Sequence, residues 1–258
     1  MDLGLNGRRA LVSAASKGLG RACAAALAEE GASVFISSRG DSQLERTAQE
    51  IGAGGWLAAD ISEPAVPQRL VDAAVDRMGG LDILVCNAGG PPPGTFLNTE
   101  LDAWDRGYQL TLMSTIRLIK AAMPHLQRSE HGRIVILTST SVREPIPNIM
   151  LSNAFRSAVT ATAKTMSGEL IPMGITVNTI QPGRILTDRI LELDGAVAKQ
   201  EGISREEATA RSLKTIPAGR LGKVEEFGAA CAFLCSAQAS YITGQNLAID
   251  GGLLRGVH

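Results

Sequence analysis

The sequence predicts an α/β protein built on a doubly wound parallel sheet of about seven strands, with helices on both faces. Short runs rich in β-branched residues alternate with longer Ala-rich stretches along the whole chain, the rhythm of strand, helix, strand. The short runs are continuously apolar rather than alternating, as strands covered on both faces require.

The elements follow in order. Strands are expected at 9–13 (RALVS), 33–37 (SVFIS), 55–59 (GWLAA), 83–86 (ILVC), 133–138 (RIVILT), 175–180 (ITVNTI) and 246–249 (NLAI). Helical segments lie between them at 18–30, 41–51, 64–78, 102–127, 152–171 and 223–236. No low-complexity linker or composition shift divides the 258 residues, so residues 1–258 read as one domain. One stretch breaks the rhythm: 184–222 is polar, mixed in charge and long. In an open α/β sheet, ligands sit beyond the carboxyl ends of strands. An excursion following strand 175–180 is therefore expected to be a lid over a substrate.

Composition narrows the chemistry. The chain is 45% hydrophobic but only 3% aromatic, so its core rests on Ala, Val, Ile and Leu. With 25 basic and 26 acidic residues it carries no electrostatic footprint for nucleic acid or an anionic membrane. Three His make a His-rich metal site unexpected, and no metal is predicted. Cys23, Cys86, Cys231 and Cys235 form no CxxC pair and read as buried small residues. The start lacks a signal-peptide layout and no apolar run reaches membrane-helix length, so a soluble cytoplasmic protein is expected.

The first strand runs into Ser13-Ala14-Ala15-Ser16-Lys17-Gly18-Leu19-Gly20 and then a helix. Such a turn lets backbone N–H groups approach a pyrophosphate at a helix N-terminus. An acid at the end of the second strand would bind a ribose 2′-hydroxyl and imply NAD. Arg39 stands there instead, with donors suited to a 2′-phosphate, and Lys17 adds a second cation. These residues predict NADP(H).

Five motifs in order resemble those of the short-chain dehydrogenase/reductase family over nearly the whole chain. Ser13 to Gly20 resembles its TGxxxGxG turn, and Asp60-Ile61 its adenine-contacting pair. Asn87-Ala88-Gly89 matches its NAG motif. Gln181-Pro182-Gly183, with Ile185 and Thr187 beyond, resembles its segment beside the nicotinamide carboxamide. Tyr241 to Gln245 with Asp250-Gly251-Gly252 matches its C-terminal signature. The resemblance implies a Rossmann fold, a nicotinamide cofactor, a small carbonyl or alcohol substrate, and a homo-oligomer, tetramer or dimer.

The resemblance also implies a catalytic Ser, Tyr, Lys and Asn, and here this chain departs from it. Ser139 takes the Ser position, but Ser152 stands in the Tyr position, Arg156 in the Lys position and Thr111 where the Asn is expected. A phenol of pKa about 10 can be tuned toward neutrality by a nearby cation. An aliphatic hydroxyl cannot, and a guanidinium keeps its proton. Neither Tyr108 nor Tyr241 occupies the catalytic position. Three readings stay open: an NADP(H)-dependent oxidoreductase using an atypical Ser139, Ser152 and Arg156 site, with 3-oxoacyl-thioester reduction among the activities the resemblance implies; a nucleotide-binding pseudoenzyme; and a non-redox enzyme. Pro91 to Gly94 with Phe96, and Ile146, Ile149 and Met150, are expected to wall the substrate cleft. Arg184 and Arg189 are expected either to read an acidic group on the substrate or to form exposed ion pairs. His125 and His131 are expected at the surface.

Overall fold

Each predicted strand forms, and all lie in one parallel sheet. The computed structural model describes residues 1–256. The strands are β1 (Arg9–Val12), β2 (Ser33–Ser38), β3 (Gly55–Ala58), β4 (Ile83–Cys86), β5 (Arg133–Leu137), β6 (Thr176–Pro182) and β7 (Asn246–Ile249). Their order across the sheet is β3-β2-β1-β4-β5-β6-β7. The order reverses direction between β1 and β4, the crevice where such sheets bind ligands. The helices are α1 (Gly18–Glu29), α2 (Asp41–Glu50), α3 (Val66–Met78), α4 (Leu101–Gly107), α5 (Ser114–Leu126), α6 (Met150–Leu170), α7 (Asp188–Glu201), α8 (Arg205–Leu213) and α9 (Val224–Cys235).

The continuous apolar runs are explained by two cores, one on each face. Ala10, Val12, Val34, Ile36, Val85 and Val135 pack with α1 and α9. Leu11, Phe35, Leu84, Ile134 and Ile136 pack with α3, α5 and α6. Neighbouring residues of one strand therefore feed opposite cores, so apolar residues follow one another without alternation. Small side chains let α1 and α9 touch: a Cβ on Gly228 would lie 2.5 Å from the Ala22 carbonyl oxygen.

Two regions differ from the pattern. The expected helix 102–127 is α4 and α5 joined by a π-helical turn, Tyr108–Met113. The polar stretch 184–222 contains α7 and α8. Mixed charge hid them, because their stability comes from caps and pairs rather than from an apolar stripe. Ser204 Oγ accepts from the Glu207 N–H at 3.0 Å to start α8. Buried Asp194 ties the excursion together, accepting from Arg184 and, at 2.9 Å, from Thr209 Oγ1.

His131 is not at the surface. The loop before β5 tucks it inward, 3% exposed, with Nε2 2.8 Å from the Cys235 carbonyl oxygen. Burial is the main cause that lowers its pKa. No helix among the described residues is long and apolar enough to cross a membrane.

At the amino ends of the strands, Arg9 grips Asp82 through Nε and Nη2, both at 2.8 Å. The Arg9 amide and Ser129 Oγ donate to the same carboxylate at 2.9 and 2.6 Å. Burial raises the Asp82 pKa, but these donors outweigh it and hold the carboxyl at about 2. A carboxylate depressed in the folded state stabilises the fold above its unfolded pKa of about 4. That contribution is lost as pH falls through 2. Stability is expected to drop by about 2 kcal/mol over that window. Urea denaturation at stepped pH reads this, and Asp82→Asn should flatten that part of the profile.

Candidate active site

A cleft of about 1770 Å³ opens at the carboxyl ends of the strands. Its size accommodates a dinucleotide with a second small molecule beside it, since single-ligand pockets run to roughly 300–1,000 Å³.

One end is the turn after β1. Ser16, Lys17, Gly18 and Leu19 line the cleft, whereas Ser13, Ala15 and Gly20 lie beneath it. Their work is to shape the turn. Ser13 Oγ donates to the Asn87 carbonyl at 2.7 Å and accepts the Asn87 amide at 2.9 Å, clasping β1 to β4. Asn87 Nδ2 donates to the Ala14 carbonyl at 3.0 Å. A Cβ on Gly20 would stand 2.4 Å from that same carbonyl oxygen, so glycine is required. The first turn of α1 carries no side-chain cap and no acid, leaving its N–H groups toward the turn.

Ala14 adopts φ +49° where a glycine would be at ease. The left-handed region costs an L-residue about 1–2 kcal/mol, while glycine costs about 0.5–1 kcal/mol in chain entropy. Ala14→Gly is therefore expected to stabilise the protein by about 0.5–1 kcal/mol. A lowered thermal midpoint would contradict this.

Arg39 follows β2 on the cleft rim, exposed and without a carboxylate partner among the described residues. Lys17 does not join it. Its Nζ lies 2.9 Å from Asp188 at the start of α7, both side chains largely exposed. Asp60 and Ile61 line the cleft after β3, with Asp60 Oδ1 accepting from the Ser62 amide and hydroxyl at 2.9 and 2.7 Å. Asn87, Ala88 and Gly89 line its floor after β4. A Cβ on Gly89 would meet nothing within 4 Å, so this glycine faces open cleft. Pro182, Gly183, Ile185 and Thr187 line the far side after β6. A Cβ on Gly18 would come within 3.7 Å of the Thr187 methyl, which brings the two glycine-bearing loops together.

Ser139, Ser152 and Arg156 all reach the cleft. Ser139 follows β5 and its Oγ accepts from the Ser141 amide at 3.1 Å. Ser152 and Arg156 sit one turn apart in the first half of α6, and Arg156 Nε donates to Ser152 Oγ at 3.2 Å. Each hydroxyl oxygen is thus pinned as an acceptor, which leaves its proton free to donate into the cleft. Arg156 Nη1 donates to the Leu137 and Thr138 carbonyls at 3.0 and 3.2 Å. Burial, and secondarily the charge of Arg189, push the Arg156 pKa down to about 10. It stays cationic at neutral pH.

Thr111 does not reach the cleft. It is 3% exposed in the π-helical turn, its Oγ1 without a partner among the described residues. Neither tyrosine lines the cleft: Tyr108 packs on Phe155, ring centroids 6.2 Å apart, and Tyr241 is fully exposed. Pro91, Pro92, Pro93, Gly94, Ile146 and Ile149 wall the cleft as expected. Phe96 and Met150 do not; they line a shallow depression behind Gly94, and Phe96 is 69% exposed. Two features escaped the sequence. Gln109, Leu110 and Leu186 also line the cleft, in segments where no motif marks them. Gln181 is fully buried beside Thr138 on the neighbouring strand, and its amide and the Thr138 hydroxyl lack partners among the described residues.

Comparison with known proteins finds relatives over nearly the whole chain. The family model described as Enoyl-(Acyl carrier protein) reductase matches residues 13–254. The chain is 33% identical over 256 residues to the NADPH-dependent reductase BacG of Bacillus subtilis, covering 97% of this chain and 99% of that one. It is 34% identical to the 3-oxoacyl-[acyl-carrier-protein] reductase FabG of Vibrio cholerae, covering 97% and 99%. Among solved structures, L-sorbose reductase from Gluconobacter frateurii, complexed with NADPH and L-sorbose, superposes with a TM-score of 0.94 at 28% identity and covers 100% of both chains.

Proposed function

The chain belongs to the short-chain dehydrogenase/reductase family, and from that premise we propose that it is an NADP(H)-dependent oxidoreductase acting on a carbonyl or alcohol substrate through an atypical Ser139, Ser152 and Arg156 site. One observation carries the reading: both serine oxygens are pinned as acceptors, Ser152 by a guanidinium that is cationic at neutral pH, and all three residues face one cleft.

The residues fit the cofactor. Gly18 at φ +59° and the uncapped start of α1 suit the pyrophosphate. Arg39, without a carboxylate partner among the described residues, suits a 2′-phosphate. Ser16, in the turn after β1, lines the same cleft, and Asp60 and Ile61 offer an adenine edge. Ala88, Gly89, Pro182, Gly183, Ile185 and Thr187 frame the nicotinamide end. The bound nicotinamide supplies or takes up a hydride at carbon.

The chain's own residues then handle the oxygen. Ser139 and Ser152 direct their free O–H protons at the substrate oxygen, and Arg156 supplies positive charge behind them. Donors held in place before reaction stabilise a developing oxyanion without reorganising. Bulk water delivers the proton through these hydroxyls. Thr111, enclosed in the π-helical turn, supports α5 rather than meeting substrate. Residues 184–222 act as a lid whose α7 carries Leu193 and Val197 over the cleft.

The test is a fluorescence titration with NADPH and NADH, followed by NADPH oxidation across a carbonyl panel. NADPH is expected to bind more tightly, and Arg39→Ala to weaken NADPH about 10–100-fold while sparing NADH. Equal affinities would remove the NADP(H) assignment. A second reading, nucleotide binding without turnover, is favoured by the absence of a phenol from the cleft. Turnover of any carbonyl removes it.

A further inference from the structure

The cations of the cleft are unequally neutralised. Arg21 is 3.1 Å from Glu50, Lys17 is 2.9 Å from Asp188, and Arg106 lies against Asp102 at 2.5 Å. Arg184 is held by buried Asp194. Two cations toward the nicotinamide end differ from these. Arg156 has no carboxylate within 4 Å among the described residues; it spends Nε and Nη1 on Ser152 and two main-chain carbonyls. Its Nη2 keeps both N–H groups without a protein acceptor among the described residues. Arg189, on the lid, meets Glu192 only at 3.8 Å and a Pro91 carbonyl at 3.3 Å.

Like charges in one cleft repel, and the cost of a desolvated, uncompensated charge falls on Arg156, since the Arg189 side chain is 42% exposed. The arrangement makes sense when an anion completes it. An oxyanion group accepts charge-assisted hydrogen bonds from guanidinium N–H groups such as those of Arg156 Nη2. Pro91 to Pro93 and Ile146 line the same cleft with apolar surface. Resting on the oxidoreductase reading above, we infer that Arg156 and Arg189 together hold an anionic oxygen group, carboxylate or phosphate, on an otherwise apolar substrate. The substrate class is therefore an anionic carbonyl compound. Arg189 is the specificity-determining member, brought in by the lid, and Arg184 takes no part because Asp194 occupies it.

Unreactive probes test this on the full chain, alone and loaded with NADP⁺. Cyclohexanecarboxylate, cyclohexylphosphonate and neutral cyclohexanecarboxamide are titrated by calorimetry. The carboxylate or phosphonate is expected to bind about tenfold or more tightly than the amide. The tighter of the two anions identifies the group. Arg189→Gln should collapse that preference to about threefold or less and Arg189→Lys should restore part of it, with NADP⁺ affinity little changed. Equal binding of anion and amide overturns the inference. So does an Arg189→Gln variant that loses NADP⁺ affinity and keeps the preference, for the arginine would then serve the cofactor's pyrophosphate. Failure to bind NADP⁺ would strike the oxidoreductase reading instead, and the titration without nucleotide still decides the arginine pair.

Discussion

Arg156→Ala is expected to lower turnover by about 10²–10³-fold, well beyond its effect on NADPH affinity. Among the described residues the guanidinium is the one charge bonded to a hydroxyl of the site, and it fixes Ser152 at 3.2 Å. Removing it takes away the positive charge that a developing oxyanion needs. It also frees Ser152 to rotate, so the loss of positioning adds to the loss of charge. Stability should respond less. The Leu137 and Thr138 carbonyls lose their donor, which costs about 1–3 kcal/mol, but the fold no longer desolvates an unpaired cation. Arg156→Lys keeps the charge but cannot reach two carbonyls and a hydroxyl with one compact ammonium, so intermediate turnover is expected. Ser139→Ala should lower turnover in the same direction by removing one donor. Steady-state kinetics with NADPH titrations separates these effects. Unchanged turnover in both Arg156→Ala and Ser139→Ala would refute the oxyanion-stabilising site.

The sheet was legible because its strands are buried on both faces, which writes most of them as consecutive apolar residues in the sequence. Val12 and Leu11 face opposite cores yet look alike on the page. The helices α7 and α8 were not legible. Their hold depends on Asp194 accepting from Arg184 and Thr209, partners brought together only by the fold. The same limit applied to His131, whose polar loop context gave no sign of the Cys235 carbonyl that receives it. In the candidate site, spacing identified which residues occupy the positions, because Ser152 and Arg156 are one helical turn apart. Spacing could not say what each one touches. Ser13 reads as a cofactor contact and instead clasps β1 to β4. Lys17 reads as a partner of Arg39 and instead pairs with Asp188. Thr111 aligns with a catalytic position, but the π-helical turn encloses it. Main-chain acceptors such as those of Leu137 and Thr138 carry no side-chain signature at all.

The double variant Ser152→Tyr/Arg156→Lys is expected to raise turnover by about 10²–10⁴-fold, the range a positioned general acid contributes. The native site stabilises charge but has no side chain able to surrender a proton near neutrality. Ser152 is too weak an acid, and Arg156, although pushed down to about 10, keeps its proton at neutral pH. Ser152 opens onto the cleft, so a phenol there projects into space rather than into the core. One turn later, a lysine ammonium would favour the phenolate and pull the phenol below its ordinary pKa of about 10. The pH profile separates this from a general improvement in packing. Reduction needs the protonated phenol, so the variant's rate should be level at low pH and fall as pH rises through the new pKa. The wild type should show no such step between about pH 6 and 9, since none of its site hydroxyls titrates there. Ser152→Phe/Arg156→Lys supplies the ring without the proton and should gain nothing. A folded, NADPH-binding double variant no faster than the wild type would mean that proton supply does not limit the native reaction. Stabilisation of the anion by Arg156, rather than its protonation, would then set the rate.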